Sequence, residues 1–186
     1  MALMRLFTGL ELPGEVVRNL EALVARLRPA ARIQWSPAAN LHITTKFIGE
    51  FPPERLAKLD EALSALPPRR PIQVEVAKLG FFPNARAPQV IWCSIAAPGL
   101  DALAAETDEA TAALGVARED RSFSPHLTLA RIKERIDPRP LQEAIAALPS
   151  VEFGRFAVRS FFLYQSQLRS SGSVYTKLAE FPFSQR

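Results

Sequence analysis

The sequence predicts an α+β fold of two similar β-α-β-α-β lobes related by a pseudo-two-fold axis, with antiparallel-rich sheets lining a central cleft and helices outside. Three observations support this prediction. Strand-like and helix-like segments alternate, their order in the first half recurs in the second, and the offset between matching elements is nearly constant. Arg5 and Val90 are 85 residues apart, His42 and His126 are 84 apart, and Ile72 and Phe156 are 84 apart. A constant offset over three elements indicates an internal repeat.

Apolar runs and two-residue alternation predict the strands. Pro13-Gly14 breaks the first strand, and Gly49 ends the strand that begins at His42. The middle strand of each half, in chain order, therefore carries a histidine. The predicted strands are residues 5–12, 42–48, 72–79, 90–96, a strand starting at 126, 156–163 and 174–181.

Apolar residues at helical spacing predict four helices between these strands. Pro29 ends the first helix, Pro67-Pro68 ends the second, and Gly115 caps the third. We expect one bilobal domain over residues 1–186, with lobes at about 1–80 and 90–186 linked by the loop 81–88, and with strand exchange between them left open. The apolar positions of the helices are Val16, Val17, Leu20, Leu23, Val24 and Leu27; Leu56, Leu59, Leu63 and Leu66; Leu100, Leu103, Ala110 and Leu114; and Leu141, Ala144, Ile145 and Leu148.

Composition narrows the class of protein. No apolar run approaches the roughly 20 residues that cross a bilayer, and the N-terminus lacks a signal-peptide pattern, so we expect no membrane contact. Cys93 is the only cysteine, which excludes an internal disulfide and favours the reducing cytoplasm. The net charge of +4, much of it from arginine, favours an anionic partner such as a nucleic acid or nucleotide. Nothing implies a protein partner, and we expect a monomer.

The two histidines of the chain lie in near-copies of one pattern, LHITT at residues 41–45 and PHLTL at 125–129. Residues i and i+2 of a strand project from the same face, so His42 shares a face with Thr44, and His126 shares one with Thr128. An imidazole exchanges protons near neutral pH, and a threonine hydroxyl can donate to a phosphoryl oxygen. Two such pairs facing each other predict an acid/base site for a phosphate ester.

Other interpretations of these residues were weighed. One His-x-Thr on a strand is more often a buried, hydrogen-bonded histidine, but two copies that use both histidines and recur at the repeat distance favour catalysis. Neither copy has the histidine or cysteine spacing of a zinc site, so we expect no metal and no cofactor. A Gly-x-Ser-x-Gly elbow and glycine-rich phosphate loops are absent from the sequence.

Three further residues are weaker candidates for contacts with the substrate. Alternation turns Arg131 away from His126, so a phosphate role would require a bulge or a strand end, and the alternative is a surface arginine. Arg86, on the loop between the lobes, is a candidate for a nucleic-acid backbone or is simply solvated. Phe47 falls on the face of Ile43, which favours core packing over base stacking.

At these motifs the chain resembles the 2H phosphoesterase superfamily, in particular its RNA 2′,3′-cyclic phosphodiesterase branch, historically called 2′-5′ RNA ligases. The resemblance covers nearly the whole chain. It departs from the family at Thr45 and Lys46, where apolar or small residues are common. The matching stretches are residues 5–7 and 12–13, 40–44 with 46–50, 82–84 leading to 90–92, 123–131, Tyr175, and 181–182.

The resemblance implies metal-independent hydrolysis of a terminal RNA 2′,3′-cyclic phosphate, or of a cyclic nucleotide, to a 2′-phosphomonoester. It implies His42 as proton donor, His126 as proton acceptor, and Thr44 and Thr128 as phosphate ligands. The residues alone do not choose between donor and acceptor, because the motifs are so alike. Two alternatives stay open: RNA 2′-5′ ligation on the same site, and a non-catalytic nucleotide- or RNA-binding module.

Overall fold

A computed structural model describes residues 2–170 and 172–183 of the chain. Nine strands and four α-helices lie in these residues, together with three short 3-10 turns. The strands are β1 (Met4–Glu11), β2 (Gln34–Trp35), β3 (His42–Phe51), β4 (Ile72–Phe82), β5 (Val90–Ala96), β6 (His126–Arg131), β7 (Glu152–Val158), β8 (Ser160–Arg169) and β9 (Gly172–Pro182), and the helices are α1 (Gly14–Leu27), α2 (Leu56–Ser64), α3 (Leu100–Ala112) and α4 (Arg139–Ala146).

The strands form two antiparallel sheets, which confirms the predicted α+β class. The first sheet has the order β3-β1-β8-β9 and the second has the order β2-β6-β5-β4-β7. Apart from the two-residue β2, the sheets correspond strand for strand: β3 to β6, β1 to β5, β8 to β4, and β9 to β7. The sheet that holds each histidine therefore takes strands from both halves of the chain.

The helices follow the same crossed arrangement. Helix α3, from the second half, packs against β3, whereas α1, from the first half, packs against β7 and α4. Helix α1 buries one face through residues spaced three and four apart, and Glu15 and Arg26 place charges favourably at its two ends. One continuous cluster of buried apolar side chains contains residues from both sheets and all four helices. Each fully buried leucine in it contributes roughly 1.5–3 kcal/mol of burial free energy.

Two predicted strand boundaries are wrong. The predicted strand 156–163 is two strands, β7 and β8, which pass from the second sheet to the first at Arg159. No glycine or proline marks that break, so the sequence reads as one apolar run. The strand of His42 does not end at Gly49: this glycine adopts a φ of 79°, a second irregularity in the pairing with β1 is absorbed there, and the strand continues to Phe51.

Close approach of β1 and β3 requires a glycine at position 9. A Cβ built there would lie 2.7 Å from the carbonyl oxygen of Ile43. That oxygen belongs to the backbone of a paired strand, so it cannot move aside without disturbing the sheet that carries His42.

We expect Gly9→Ala to lower the free energy of unfolding by about 1–3 kcal/mol, the usual cost of overpacking. Urea denaturation followed by circular dichroism measures it. Gly14→Ala is the matched control, because a Cβ there would meet only the flexible end of Arg18, at 3.4 Å. Equal stability of the Gly9→Ala protein and the wild type would contradict the close approach.

Candidate active site

His42 is the first residue of β3, and its ring is held in a fixed orientation. Its Nδ1 lies 2.7 Å from the carbonyl oxygen of Asn40, and its Nε2 lies 3.0 Å from the hydroxyl oxygen of Thr44. A carbonyl oxygen only accepts hydrogen bonds, so Nδ1 carries a hydrogen and donates it. The proton that His42 gains or loses is therefore the one on Nε2, beside the hydroxyl of Thr44.

His126 repeats this arrangement at the start of β6. Its Nδ1 lies 2.9 Å from the carbonyl oxygen of Ser124, again two residues before the histidine. Its side chain is exposed, whereas that of His42 is partly buried. Thr128 follows on the same face and pairs across the sheet with Trp92. Both histidines thus use Nδ1 to hydrogen-bond a backbone carbonyl oxygen, and both have a threonine hydroxyl two residues further along the strand.

A β-bulge follows each His-x-Thr motif. Gly9 pairs with Thr44 and Thr8 with Lys46, so Thr45 is the extra residue in β3. Trp92 pairs with Thr128 and Ile91 with Ala130, so Leu129 is the extra residue in β6. An extra residue reverses the alternation of side chains beyond it. We call the face of each sheet that carries the histidine and threonine its motif face.

The first bulge overturns the prediction that Phe47 packs in the core. Phe47 pairs with Phe7, whose ring lies 4.6 Å from the ring of His42, so Phe47 lies on the motif face and is 48% exposed. The guanidinium of Arg5 lies over its ring, 5.1 Å from the centroid.

A phosphate role for Arg131 requires a bulge or a strand end between it and His126, and the second bulge meets this requirement. Arg131 pairs with Val90, which is two residues from Trp92 and shares its face. Arg131 therefore projects from the motif face, on the same side as His126 and Thr128, and it is exposed. The equivalent positions of the two motifs, five residues after each histidine, thus carry an aromatic ring and a cation.

Ser36 connects the two motifs physically. Its backbone N–H donates to the carbonyl oxygen of Leu129 and its hydroxyl donates to that of Thr128, both at 2.8 Å. His42 is six residues after Ser36, so even a fully extended chain would place the Cα atoms of Ser36 and His42 at most about 20 Å apart. The 3-10 turn Ala38–Asn40 shortens this span, and β3 contacts β6.

Lys46 anchors the segment that leads to His126. This buried lysine donates to Asp108 of α3 at 2.5 Å and to the carbonyl oxygen of Ala117 at 2.7 Å. Asp108 in turn accepts the backbone N–H of Glu119, seven residues before His126. Through Asp108, Lys46 therefore links the first motif strand to the segment that leads to the second.

Aromatic rings surround His42 on the motif face of the first sheet. The ring of Tyr175 stands perpendicular to the imidazole at a centroid distance of 5.0 Å, and that of Tyr164 lies 6.1 Å away. Together with Phe7 they shield the imidazole from water. Burial lowers the pKa of His42 below its ordinary value of 6.5, although the hydrogen bond to Asn40 acts in the opposite direction.

Arg86 lies apart from these groups. The side-chain oxygen of Asn84 accepts the backbone N–H groups of Arg86 and Ala87, and Gln142 of α4 donates to the carbonyl oxygen of Ala85. The loop between β4 and β5 is thereby held in place while the side chain of Arg86 is exposed. It forms no hydrogen bond or ion pair with either motif among the described residues.

In residues 2–170 and 172–183, no three histidine, cysteine, aspartate or glutamate side chains are grouped so that they could hold a metal ion. Within the same residues, no helix combines the length and apolar composition that spanning a bilayer requires.

Comparison with known proteins assigns the chain to a family. The sequence model of the LigT-like phosphoesterases matches the chain twice, at residues 10–92 and 95–175. The chain belongs to this family. The two matches begin 85 residues apart, which agrees with the internal repeat.

Members of this phosphoesterase family resemble the chain over nearly its full length. It is 32% identical over 177 residues to a Methanocaldococcus jannaschii protein named RNA 2′,3′-cyclic phosphodiesterase, covering 95% of this chain and 99% of the relative. It is 34% identical over 188 residues to a Thermus thermophilus protein of the same name, covering 96% and 89%.

Solved structures of phosphoesterases share the two-lobed fold. A Thermus thermophilus structure has a TM-score of 0.81 at 31% identity and covers 97% of this chain and 98% of its own. Escherichia coli LigT without ligand also has a TM-score of 0.81, at 26% identity over the full length of both chains. LigT has been solved in complex with 3′-AMP as well, with a TM-score of 0.79 at 25% identity and the same coverage.

Sequence reasoning missed part of the surroundings of the site. Ser36 carried no signal, because one serine between strands is ordinary. Phe7 lies in the first predicted strand and Tyr164 directly follows the predicted strand 156–163, and only the fold brings their rings to His42.

We expect the imidazole of His42 to titrate below pH 6.5 in an NMR pH titration of the C–H ring protons. In the Tyr175→Ala protein the pKa should move up towards 6.5, because the variant lets water reach the ring. Val174→Ala, at an exposed neighbouring position, is the control and should leave it unchanged. A pKa of His42 at or above 6.5 in the wild type would contradict the desolvation.

Proposed function

We propose that this protein hydrolyses a terminal RNA 2′,3′-cyclic phosphate to a 2′-phosphomonoester without a metal ion. The observation that carries the proposal is the repeated geometry: two His-x-Thr motifs on contacting strands, each histidine anchored through Nδ1 so that Nε2 is the reactive atom. Relatives named RNA 2′,3′-cyclic phosphodiesterase support the substrate class.

In the proposed reaction, water attacks phosphorus opposite the bond to O3′. Nε2 of His126 accepts a proton from the water as its oxygen bonds to phosphorus. The P–O3′ bond breaks, and Nε2 of His42 gives its proton to the departing O3′. The product keeps the phosphate on O2′ and regains a 3′-hydroxyl. One proton enters the enzyme and one leaves it, so a proton exchange with solvent restores both histidines.

The two threonines complete the site. Negative charge grows on the non-bridging oxygens as water adds, and hydroxyl donors fixed in advance stabilise it. Thr44 and Thr128 are assigned to these oxygens, one from each motif strand. Arg131, which projects from the same face as Thr128, is assigned to a phosphate of the substrate. Arg86 is assigned to the RNA backbone beyond the reacting nucleotide.

The environment of His42 supports its assignment as the donor. Burial lowers its pKa, and an imidazolium of lower pKa is a stronger acid towards a poor leaving group such as O3′. A bound phosphodiester anion beside the ring then favours the protonated form. The more exposed His126 is the better placed of the two to receive a proton from water.

Two other activities use the same groups. Ligation of a 2′,3′-cyclic phosphate to a 5′-hydroxyl is the same displacement with a ribose hydroxyl in place of water, and water is far more abundant. A module that binds nucleotides without turnover is the other alternative. The LigT structures with 3′-AMP and NADP⁺ show that a relative holds nucleotides.

The decisive assay is incubation of an RNA ending in 2′,3′-cyclic phosphate with the protein and EDTA, followed by identification of the product. We expect a 2′-phosphate from the wild type, and a loss of rate of about 10²–10⁴-fold in each of His42→Gln and His126→Gln. Leu168→Ala, at a 75% exposed position, is the control.

Three outcomes of this assay would contradict the proposal. Recovery of activity only with added metal would overturn the mechanism. Tight binding without turnover would identify the non-catalytic module, and joined RNA as the main product would identify the ligase.

We also expect a bell-shaped dependence of kcat/KM on pH, since His42 must be protonated and His126 neutral. The residual activity of His126→Gln should lose the fall towards low pH and keep the fall towards high pH, because only the donor still titrates. The residual activity of His42→Gln should lose the high-pH fall instead. The opposite pattern would exchange the donor and acceptor roles.

A further inference from the structure

The motif face of the second sheet extends well beyond His126 and Thr128. Cross-strand pairing aligns its side chains in rows, and paired residues share a face. Successive rows are about 7 Å apart and neighbouring strands about 5 Å apart. The three rows are Ser94 with His126; Gly80, Trp92 and Thr128; and Phe82, Val90 and Arg131.

The second row presents a flat apolar wall beside the phosphate ligand. The indole of Trp92 covers Gly80 so closely that a Cβ at residue 80 would overlap the ring. Glycine at this position therefore lets the indole lie down on the sheet instead of standing away from it. The ring remains partly exposed next to Thr128.

The third row ends in an aromatic side chain that the fold leaves uncovered. Phe82 is 58% exposed at the end of β4, although Leu79 and Phe81 are partly buried against the core. Phe82 lies two rows and two strands from His126, which is a distance of roughly 17 Å across the motif face. This distance reaches beyond the terminal nucleotide to the part of an extended single strand on its 5′ side.

Two arginine side chains that form no ion pair among the described residues lie in the same row as Phe82 or on the loop that follows it. Arg131 lies in the same row, and Arg86 is on the loop that follows β4 directly. Among the residues that the structure describes, neither guanidinium forms an ion pair. An exposed aromatic ring next to free cations, continuous with a phosphate site, matches the chemistry of single-stranded nucleic acid: bases stack on rings while cations follow the phosphates.

We propose that this row is a binding site for the nucleotides on the 5′ side of the cyclic phosphate, with Phe82 as the stacking platform for a base and Arg131 and Arg86 as partners of the internucleotide phosphates. The inference rests on the proposed function, since it states where the remainder of the RNA lies. With this site, the protein binds the last few nucleotides of an RNA and not the terminal nucleotide alone.

The test compares kcat/KM for a nucleoside 2′,3′-cyclic phosphate with that for a trinucleotide ending in the same group. We expect the wild type to prefer the trinucleotide. In Phe82→Ala the ratio of trinucleotide to mononucleotide kcat/KM should fall about 5- to 150-fold, the contribution of one base–aromatic stack. Phe82→Tyr should restore the ratio, and Leu168→Ala, another exposed apolar residue, should leave it at the wild-type value.

A binding measurement separates the failure of this inference from that of the proposed function. Fluorescence anisotropy with a trinucleotide carrying a terminal 2′-phosphate, competed by the corresponding mononucleotide, reports the same preference without turnover. If the wild type hydrolyses neither substrate, but Phe82→Ala binds the trinucleotide more weakly than the wild type does, the binding site stands and the catalytic proposal fails.

Two results would overturn the binding site. One is an unchanged ratio and an unchanged affinity in Phe82→Ala. The other is a change of oligomeric state: the wild type sediments as a dimer, and Phe82→Ala sediments as a monomer that keeps the wild-type preference for the trinucleotide. That result would make this face an interface between copies of the chain.

Discussion

The geometry of the site depends on the extra residue that follows each His-x-Thr motif. A regular strand can hold a histidine and a threonine on one face, but the fifth residue after the histidine would then turn to the other face. The bulges at Thr45 and Leu129 reverse the alternation, so that Phe47 and Arg131 also project from the motif faces. One local irregularity, repeated 84 residues apart, thus adds a third side chain to each motif face.

Each bulge is held by contacts from elsewhere in the chain. The hydroxyl of Thr45 is 2.7 Å from that of Thr8 in the buried space between β1 and β3. The carbonyl groups around Leu129 are taken by Ser36. Lys46 satisfies its buried charge with Asp108, and breaking such a pair by removing one partner usually costs about 3–5 kcal/mol. The site is therefore assembled from distant segments, and its geometry depends on the fold being complete.

Much of this arrangement could be predicted from the sequence. The repeat offset and the apolar periodicity gave the α+β class and the equivalence of the two motifs, because both are properties of local spacing. The faces of Phe47 and Arg131 could not be predicted with the same certainty, since a bulge without glycine leaves no mark on the pattern. The break at Arg159 and the roles of Ser36 and Gly80 depend on which strands become neighbours, and a single sequence does not encode that in any local signal.

In the proposed reaction, both motifs act on one phosphate. A crystal structure of the protein with a nucleoside 2′-phosphate, the product of the proposed reaction, tests it most directly. We expect a phosphate within hydrogen-bond distance of Nε2 of His42 and His126 and of the hydroxyls of Thr44 and Thr128. A phosphate held by one motif alone, with the other histidine out of reach, would contradict it.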